Sequence, residues 1–468
     1  MVAASLFRRL DRFSDNVALI GADGAVMTYA RMLAAGDRLA AALHGRRVLA
    51  VVVCRNDPDC VAGYVGLMRA GAAVLLLHHS TKPDQLDAVV ARFSPQVIYA
   101  PAQLCVLGQP LDRLGGYVLA RLSDVGPALH DDLALLLTTS GTTGSRNFVR
   151  LSHGNIADNA ASIAQYLGIG PHERPITTLP LSYSYGLSVL HSHLSQGASL
   201  VCCEDAVVSP VFWTLMREQA VTSLAGVPFT YDMLKKLRFG RMDLPVLKTL
   251  TQAGGRMAPD LVAEFAEICA ATGRRLMVMY GATEATARMA FVPWEHLRRR
   301  PDSIGQAIPG GRLWLEDDAG TVVTAADTIG ELVYGGANVS LGMAAEAADL
   351  SRGDDNQGVL RTGDMARMDA DGFFFIVGRR KRFLKVFGNR VNLDELEGLL
   401  AEAGLECACT GGDDDLVVHV VGDADAAKAV LAARTNLTSH MFRAVAVAAL
   451  VRQESGKVDY AALGALHG

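Results

Sequence analysis

Residues 135–153 read LLLTTSGTTGSRNFVRLSH, an apolar run that breaks into small hydroxyl residues and glycines. The apolar start is typical of a buried strand, and six serines and threonines then crowd around Gly141 and Gly144. Glycines let backbone N–H groups converge, and hydroxyls donate to phosphate oxygens without adding a repelling charge. The stretch therefore predicts a phosphate-binding loop after a strand. It matches neither G-x-x-x-x-G-K-[ST] nor G-x-G-x-x-G, and a hydroxyl-rich surface loop is the alternative.

Helical and strand patterns alternate on both sides of this loop, up to about residue 290. MTYARMLAAGDRLAAALHG (27–45) has apolar residues at helical spacing, with Thr28 as the expected N-cap and Gly45 as the expected stop. RRVLAVVVC (46–54) and AAVLLLH (72–78) are short and continuously apolar, as buried strands are. The alternation predicts an α/β fold of mostly parallel sheets flanked by helices.

The chain is too long for one domain. Its 468 residues exceed the roughly 250–300 at which a single hydrophobic core stops growing. Near residue 305 the pattern changes to short strands separated by turn residues, which predicts a barrel-like part over about 300–375. The last 90 or so residues are expected to form a small α+β domain.

Composition limits the classes of function. Half of the residues are hydrophobic and the formal net charge is -5, which excludes a disordered chain and gives no attraction for nucleic acid. The N-terminal arginines exclude a signal peptide, and no apolar run reaches the roughly 18 residues of a membrane span, so a cytoplasmic protein is expected. Paired cysteines at 202–203 and 407–409 lack zinc spacing. His191 and His193 lack a third ligand nearby, so helix packing is expected for them.

Three further segments place polar residues beside strands or glycines. VMYGATEA (278–285) puts Thr283 and Glu284 directly after a strand and a glycine. RTGDMARMDADGFFFIVGRR (361–380) carries Asp364 in a turn and Arg379 after another strand, and ESGKVDYAAL (454–463) carries Lys457. Each alone has an ordinary structural explanation, as an N-cap, a turn residue or a solvated charge.

In this order and spacing, the segments resemble those of the adenylate-forming superfamily of acyl-CoA synthetases, peptide-synthetase adenylation domains and luciferases. TTSGTTGS (138–145) resembles its phosphate loop, LPLSYSYGL (179–187) its aromatic gate segment and YGATE (280–284) its adenine and magnesium segment. GRRKRFLKVFGNRVNLDELE (378–397) and ESGK (454–457) follow in the family's order. The likeness covers nearly the whole chain. It implies a large N-terminal core over 1–380 and a small, mobile C-terminal domain over 381–468.

The resemblance implies a reaction in which a carboxylic acid attacks ATP, leaving an acyl adenylate and pyrophosphate. ATP and Mg²⁺ are the implied cofactors, with Thr283 on the α-phosphate, Glu284 on the metal, and Lys457 bridging the carboxylate and the α-phosphate. The implied phosphate loop consists of Thr139, Ser140, Gly141, Thr142, Thr143 and Gly144. The other implied nucleotide contacts are Gly254, Gly255, Arg256, Tyr280, Gly281, Ala282, Asp364, Ile376 and Arg379, with Tyr280 on the adenine and Asp364 on the ribose.

The resemblance also implies a thiol step, in which coenzyme A or a carrier-protein pantetheine takes the acyl group. Lys381 matches the hinge about which the C-terminal domain rotates, and Gly388, Asn389 and Arg390 match the thiol tunnel. One departure concerns the phosphate loop, where Asn147 stands in place of the usual lysine. Either Arg146 or Arg150 supplies the charge, or that contact is absent.

The acid is not identified by the sequence. The implied acyl pocket comprises Tyr183, Tyr185, Gly186, Ser188, Gly226, Val227 and Ala253. No acidic residue lies between Leu179 and Leu194, so a buried ammonium would lack a carboxylate and an α-amino acid is disfavoured. Glycines 186, 226 and 254 are expected to leave room, which keeps fatty, hydroxy and aryl acids open.

The leading hypothesis is an ATP-dependent acid–thiol ligase acting on a small carboxylic acid, with coenzyme A or a separate carrier protein as acceptor. Adenylation with transfer to a non-thiol acceptor is one alternative, and FGNRVN (387–392) speaks against it. A catalytically weak nucleotide-binding homologue is the other, and the presence of Glu284, Asp364, Arg379 and Lys457 speaks against that.

Overall fold

The computed structural model describes residues 5–104, 107–138, 147–386, 389–412, 414–435, 437–438, 440–452 and 458–466. For Lys381, Phe383, Lys385, Asn389 and Arg390 it describes the backbone alone. The predicted phosphate loop at 139–144, together with Gly388 and Lys457, lies outside the described residues.

Helices occur along the whole described chain, and local signals set several of their ends. They are α1 (Tyr29–Ala41), α2 (Pro58–Arg69), α3 (Pro83–Phe93), α4 (His153–Leu167), α5 (Ser184–Leu194), α6 (Pro210–Glu218), α7 (Pro228–Lys236), α8 (Pro259–Ala271), α9 (Leu393–Glu402), α10 (Ala424–Arg434) and α11 (Tyr460–Ala465). The Thr28 hydroxyl accepts a hydrogen bond from the Arg31 N–H, which confirms the predicted cap. Helix α1 ends four residues before the predicted stop at Gly45, because the chain turns earlier and reaches positive φ at His44 (51°) and Gly45 (72°).

The strands alternate with these helices. They are β1 (Val17–Ile20), β2 (Val26–Thr28), β3 (Leu49–Cys54), β4 (Ala73–His78), β5 (Val97–Pro101), β6 (Gln109–Leu114), β7 (Tyr117–Arg121), β8 (Leu133–Thr138), β9 (Phe148–Ser152), β10 (Pro175–Ile176), β11 (Leu200–Val201), β12 (Ser223–Gly226), β13 (Thr249–Gln252), β14 (Arg275–Tyr280), β15 (Ala290–Val292), β16 (Gln306–Ala307), β17 (Arg312–Glu316), β18 (Val322–Val323), β19 (Gly330–Gly335), β20 (Gly342–Ala344), β21 (Val359–Met368), β22 (Phe374–Arg379), β23 (Phe383–Val386), β24 (Asn389–Asn392), β25 (Cys407–Gly412), β26 (Asp415–Val421) and β27 (Phe442–Val447).

The described residues divide into two compact units, one comprising those within 5–138, 147–313 and 334–360, and the other comprising 314–333 and those from 361 onward. The predicted boundary at residues 380–381 falls inside the second unit and stays a prediction.

Two large sheets form the first unit. The nine-stranded sheet has the order β16-β15-β14-β13-β12-β10-β11-β1-β2 and is parallel from β14 to β1. The eight-stranded sheet has the order β20-β9-β8-β4-β3-β5-β7-β6 and is parallel from β8 to β5. Antiparallel strands complete both edges of each sheet. Strand β3 is buried along its whole length and β4 at every residue but His78, as their continuously apolar sequences predict.

The second unit holds smaller sheets. A five-stranded sheet, order β18-β17-β19-β21-β22, lies mostly in this unit and coincides with the segment predicted to be barrel-like. The C-terminal part contains the β23–β24 hairpin and the β25-β26-β27 sheet, whose apolar residues share a core with α9 and α10. The predicted fold class, a large α/β core of helix-flanked sheets followed by a small C-terminal α+β domain, is confirmed. Within the described ranges, no helix is both long and apolar enough to cross a bilayer.

Candidate active site

The candidate site is built at one edge of the nine-stranded sheet, where three neighbouring parallel strands end. In the register of β12, β13 and β14, Gly226 lies opposite Gln252, and Gln252 opposite Val278. Val227 follows β12, residues 253–256 follow β13, and β14 ends at Tyr280 and is followed by residues 281–284. These are most of the predicted acid- and nucleotide-binding residues of this unit. The carboxyl ends of parallel strands are where ligands bind in open α/β sheets.

Tyr183, Val227 and Gly254 meet at this edge. Tyr183 immediately precedes α5, and a Cβ atom at position 254 would lie 2.5 Å from its hydroxyl and 3.1 Å from Val227 Cγ1. Gly254 also has a φ of 81°, which favours glycine. The gate segment and the segment after β13 are therefore in close contact at Gly254, where the Tyr183 hydroxyl leaves no room for a side chain.

Gln252 fixes the turn after β13. Its side chain is buried, and Nε2 donates to the carbonyl oxygens of Gly255 at 2.8 Å and Ala253 at 3.3 Å. Gln252 is not among the residues predicted from the sequence, although an amide at the end of a buried strand, shortly before two glycines, is a detectable signal. Arg256 beyond the turn is exposed.

Two buried hydroxyls link α5, the helix of the gate segment and hereafter the gate helix, to Thr283, which is predicted to contact the α-phosphate. Ser184 Oγ in the first turn of α5 lies 3.1 Å from Thr283 Oγ1, and both residues are buried. They are 99 residues apart in sequence, so only the fold brings them together. Tyr280 and Ala282 pack their half-buried side chains against the apolar cluster that includes Ala285 and Tyr334.

Glu284 is the predicted magnesium ligand. It is half-buried, and its carboxylate makes no hydrogen bond or ion pair with any residue in the described ranges. No group of three or more His, Cys, Asp or Glu that could hold a metal occurs in the described part of the chain. Mg²⁺ typically takes one or two carboxylates and completes its coordination with water and substrate phosphates. A single available carboxylate therefore fits this metal.

Tyr185 and Ser188 point their hydroxyls into the protein. The Tyr185 hydroxyl lies 2.9 Å from Thr251 Oγ1 in β13, and burial raises the pKa of this phenol to about 12. Ser188 Oγ donates to the Tyr185 carbonyl oxygen at 2.7 Å. Both hydroxyls are engaged within the protein, so neither is free to read a substrate in this structure.

Two of the predicted pocket glycines serve close packing. A Cβ atom at Gly186 would lie 2.4 Å from the Pro180 carbonyl oxygen, and one at Gly226 would lie 3.0 Å from Thr230 Cβ. The expectation that they leave room for the acid is corrected here, since neighbouring chain already fills the space beside each of them.

Arg150 does not supply the missing charge of the phosphate loop. Its guanidinium is buried and pairs with the Asp355 carboxylate at 2.6 Å. It also donates to the carbonyl oxygens of Leu341, Met343, Arg352 and Gly353. All of these partners are structural, so this alternative is wrong; Arg146 lies outside the described residues.

The paired histidines of α5 are packing residues, as predicted. His191 Nε2 lies 2.9 Å from the Tyr64 hydroxyl and its ring stacks on Tyr64, while His193 Nδ1 donates to the Val189 carbonyl oxygen at 2.8 Å. Burial lowers the pKa of His191 to about 3 and that of His193 to about 4.

In the second unit, Asp364 and Arg379 are brought together. They are direct partners across β21 and β22, and Arg379 Nε lies 3.1 Å from Asp364 Oδ1. The Asp364 side chain is 11% exposed and that of Arg379 is 72% exposed. Ile376 lies opposite Ala366 in the same strand pair.

Lys381 lies between two arginines that are anchored to different elements. Arg380 pairs with Glu331 in β19 at 2.6 Å. Arg382 pairs with Asp394 and Glu397 in α9, each at 2.5 Å, and stacks on the Tyr460 ring at 4.0 Å. One side of position 381 is thus tied to the five-stranded sheet and the other to the C-terminal helices. The backbone of Asn389 begins β24.

The fold and the placement of Tyr183, Thr283 and Glu284 at these strand ends agree with the adenylate-forming class that the sequence resembles. The chain matches the AMP-binding enzyme family over residues 6–343 and belongs to that family.

Several known proteins are similar to this chain. It is 28% identical over 391 residues to the probable non-canonical nonribosomal peptide synthetase CymA of Salinispora arenicola, covering 80% of this chain and 5% of CymA. It is 27% identical over 413 residues to an indoleacetate–CoA ligase of Aromatoleum aromaticum, covering 81% and 78% of the two chains.

Among solved structures, O-succinylbenzoate coenzyme A synthetase (MenE) of Bacillus subtilis in complex with AMP matches with a TM-score of 0.78 at 21% identity, covering 98% of both chains. MenE in complex with ATP and a magnesium ion matches with a TM-score of 0.75 at 21% identity, covering 98% of this chain and 99% of that chain. At this identity, the likeness establishes the fold.

Proposed function

We propose that this protein uses ATP to convert a small carboxylic acid to an acyl adenylate and then transfers the acyl group to a thiol, releasing AMP. The observation that carries the proposal is the convergence of the gate, the hydroxyl pair and Glu284 at the carboxyl ends of β12, β13 and β14. The chemistry requires donors and positive charge at the phosphates, because an anionic carboxylate must approach a polyanion.

On the nucleotide side, each group has a distinct role. The Thr283 hydroxyl, oriented by Ser184, donates to the α-phosphate, and Tyr280 packs on the adenine. Glu284 is the residue that would hold Mg²⁺, which neutralises charge on the departing pyrophosphate when bound. Asp364, with Arg379 beside it, accepts from the ribose hydroxyls. Residues 139–144 and Lys457 keep their predicted roles at the phosphates.

On the acid side, we propose that the carboxylate binds where Tyr183, Val227 and Gly254 meet at the carboxyl ends of β12 and β13. No acidic residue occurs in α5, while the guanidinium of Arg288 lies 4.9 Å from the Tyr185 ring centroid. A positive group beside Tyr185 and the lack of an acid in α5 both oppose an α-ammonium, so the proposed acids carry none.

For the thiol step, we propose that the segment after Lys381 turns as a body. The contacts of Arg382 with Asp394, Glu397 and Tyr460 tie the start of this segment to α9 and α11. The indoleacetate ligase is a CoA ligase by name, and a similar protein of Pseudomonas fluorescens is a ligase of L-proline to its carrier protein. We propose a thiol acceptor of one of these two kinds.

The test is acid-dependent exchange of labelled pyrophosphate into ATP by the whole chain, measured with a panel of carboxylic acids. Exchange that requires both an acid and Mg²⁺, and that falls at least about 100-fold in Glu284→Gln, supports adenylation. Adding coenzyme A or a pantetheine-bearing carrier protein should then yield a thioester and AMP. Lack of exchange with every acid refutes adenylation, and exchange without either thioester refutes the second step.

A further inference from the structure

Arg288 is a buried arginine with weak hydrogen-bond partners. The residue is 2% exposed, its Nη1 donates to the Tyr166 hydroxyl and to Met279 Sδ, both at 3.1 Å, and its guanidinium faces the Tyr185 ring. Nε has no hydrogen-bond partner and no carboxylate pairs with the guanidinium among the described residues. A buried charge is costly unless it is paired and fully hydrogen-bonded.

The same unit contains a buried arginine that meets this requirement. Arg150 is also fully buried, but a carboxylate and four carbonyl oxygens surround its guanidinium. Arg288 instead has a phenol, a thioether and an aromatic face, which are weak partners for a cation. Weak partners alone do not mark a ligand site, because Arg274 is also buried over an aromatic ring, but Arg288 differs from Arg274 in lining a cavity.

The backbone holds Arg288 in place against local strain. The two preceding residues have positive φ, 55° at Thr286 and 99° at Ala287, although neither is glycine. The Arg288 carbonyl oxygen accepts from Nδ2 of two buried amides, Asn159 at 2.9 Å and Asn338 at 3.1 Å. Such conformations persist where the surroundings over-determine them, and they cluster at ligand sites.

Arg288 lines a cavity next to Tyr185, whose hydroxyl contacts Thr251 in the cavity wall. The cavity measures about 20 Å³ and lies between α5 and the strands β12 and β13, with Thr251 and His193 also in its wall. Glu173 lines it too, but its carboxylate accepts from Thr222 Oγ1 at 2.5 Å and lies 3.8 Å from Lys248 Nζ. A cavity of this size suits one small polar group rather than an alkyl chain.

We propose that Arg288 is a specificity-determining residue that binds a second carboxylate on the acid, so that the substrate class is the dicarboxylic acids. This inference rests on the proposed function. One carboxylate reacts at the Tyr183 and Gly254 edge, and the distal carboxylate accepts hydrogen bonds from Arg288, replacing its weak partners. A charge-assisted hydrogen bond to a buried cation strongly favours the diacid over its neutral-ended analogue.

The test compares matched acids in pyrophosphate exchange, such as succinate against butyrate and terephthalate against benzoate. For at least one pair, the wild type should prefer the diacid by at least about 10-fold in kcat/KM. Arg288→Met should lower the diacid-to-monoacid ratio at least about 10-fold. Arg274→Met is the matched control, because Arg274 is also buried with an unpartnered Nη1 yet donates to Leu244 away from the pocket. Its ratio should equal that of the wild type.

The outcomes separate the two proposals. Exchange with monoacids and no diacid preference in any pair, or a preference that survives Arg288→Met, overturns the assignment of Arg288 and leaves adenylation standing. Absence of exchange with every acid overturns adenylation and this inference together. If Arg288→Met does not fold, Arg288→Lys keeps the charge but loses the planar fork, and it should still reduce the ratio. A ratio unchanged by the lysine would also contradict the assignment.

Discussion

The contact between Ser184 and Thr283 gives the sharpest prediction about how the gate helix serves the nucleotide. The two oxygens are 3.1 Å apart in a buried setting, so removal of the Ser184 hydroxyl leaves that of Thr283 without this partner. A buried polar group that loses its partner costs about 1–3 kcal/mol. If that cost falls on the transition state, kcat/KM for exchange drops about 5- to 150-fold in Ser184→Ala. Steady-state exchange at varied ATP measures the drop.

A double-mutant cycle isolates the contact. Thr283→Val removes the proposed donor to the α-phosphate while keeping the side-chain shape, and the double variant should be no slower than Thr283→Val alone. Ser192→Ala is the control, because the Ser192 hydroxyl donates to the Val189 carbonyl oxygen within α5 and is outside the site. Losses that multiply in the double variant would show that Ser184 does not act through Thr283. An equal loss in Ser192→Ala would assign the effect to helix stability.

The remaining predictions concern the hinge, the phosphate loop and acid stability. Lys381→Pro should spare pyrophosphate exchange and suppress thioester formation, because proline restricts the backbone between the ion pairs of Arg380 and Arg382. Equal loss of both half-reactions would contradict the role of Lys381 as a hinge. Asn147→Lys should raise turnover or lower the ATP Michaelis constant, because it restores a cation beside the phosphate loop. If both values are unchanged, Asn147 neither slows turnover nor weakens ATP binding, and the prediction is wrong. His191 and His193, with pKa values lowered to about 3 and about 4, stay neutral in the native state while the unfolded chain takes up protons below about pH 6.5. Their contribution to stability is therefore present above pH 6.5 and falls toward pH 4. The thermal midpoint of the wild type should drop over this range, and that of His191→Gln should drop less. Identical pH profiles of the two proteins would contradict this.

Much of the overall fold could be predicted from the sequence, because buried parallel strands appear as short, continuous apolar runs. Strands β3 and β4 are continuous apolar runs bounded by helices, and their burial matches the prediction. Helix ends were less accessible, since α1 stops at Ala41 through local turns rather than at its glycine. The gate, the Thr283–Glu284 segment and the Asp364–Arg379 pair were located by short motifs that mark strand ends.

The interior of the site was not accessible in the same way. Tyr185 was expected to face a substrate, but its hydroxyl meets Thr251, which is 66 residues away in sequence. Arg288 was not singled out, because a lone arginine after a polar turn reads as a surface residue. Its burial depends on positive φ at Thr286 and Ala287 and on two amides from distant helix and loop positions. Pairings of this kind arise from packing between segments, which a local pattern does not encode.

The most direct test of the account is a crystal structure of the whole chain with a non-hydrolysable acyl-sulfamoyl adenosine. The account predicts the adenine against Tyr280 and Gly255, the sulfamate within about 3 Å of the Thr283 hydroxyl, and the acyl carbonyl beside Gly254 and Tyr183. An analogue bound away from the carboxyl ends of β12, β13 and β14, or one that leaves Thr283 without a contact, would contradict it.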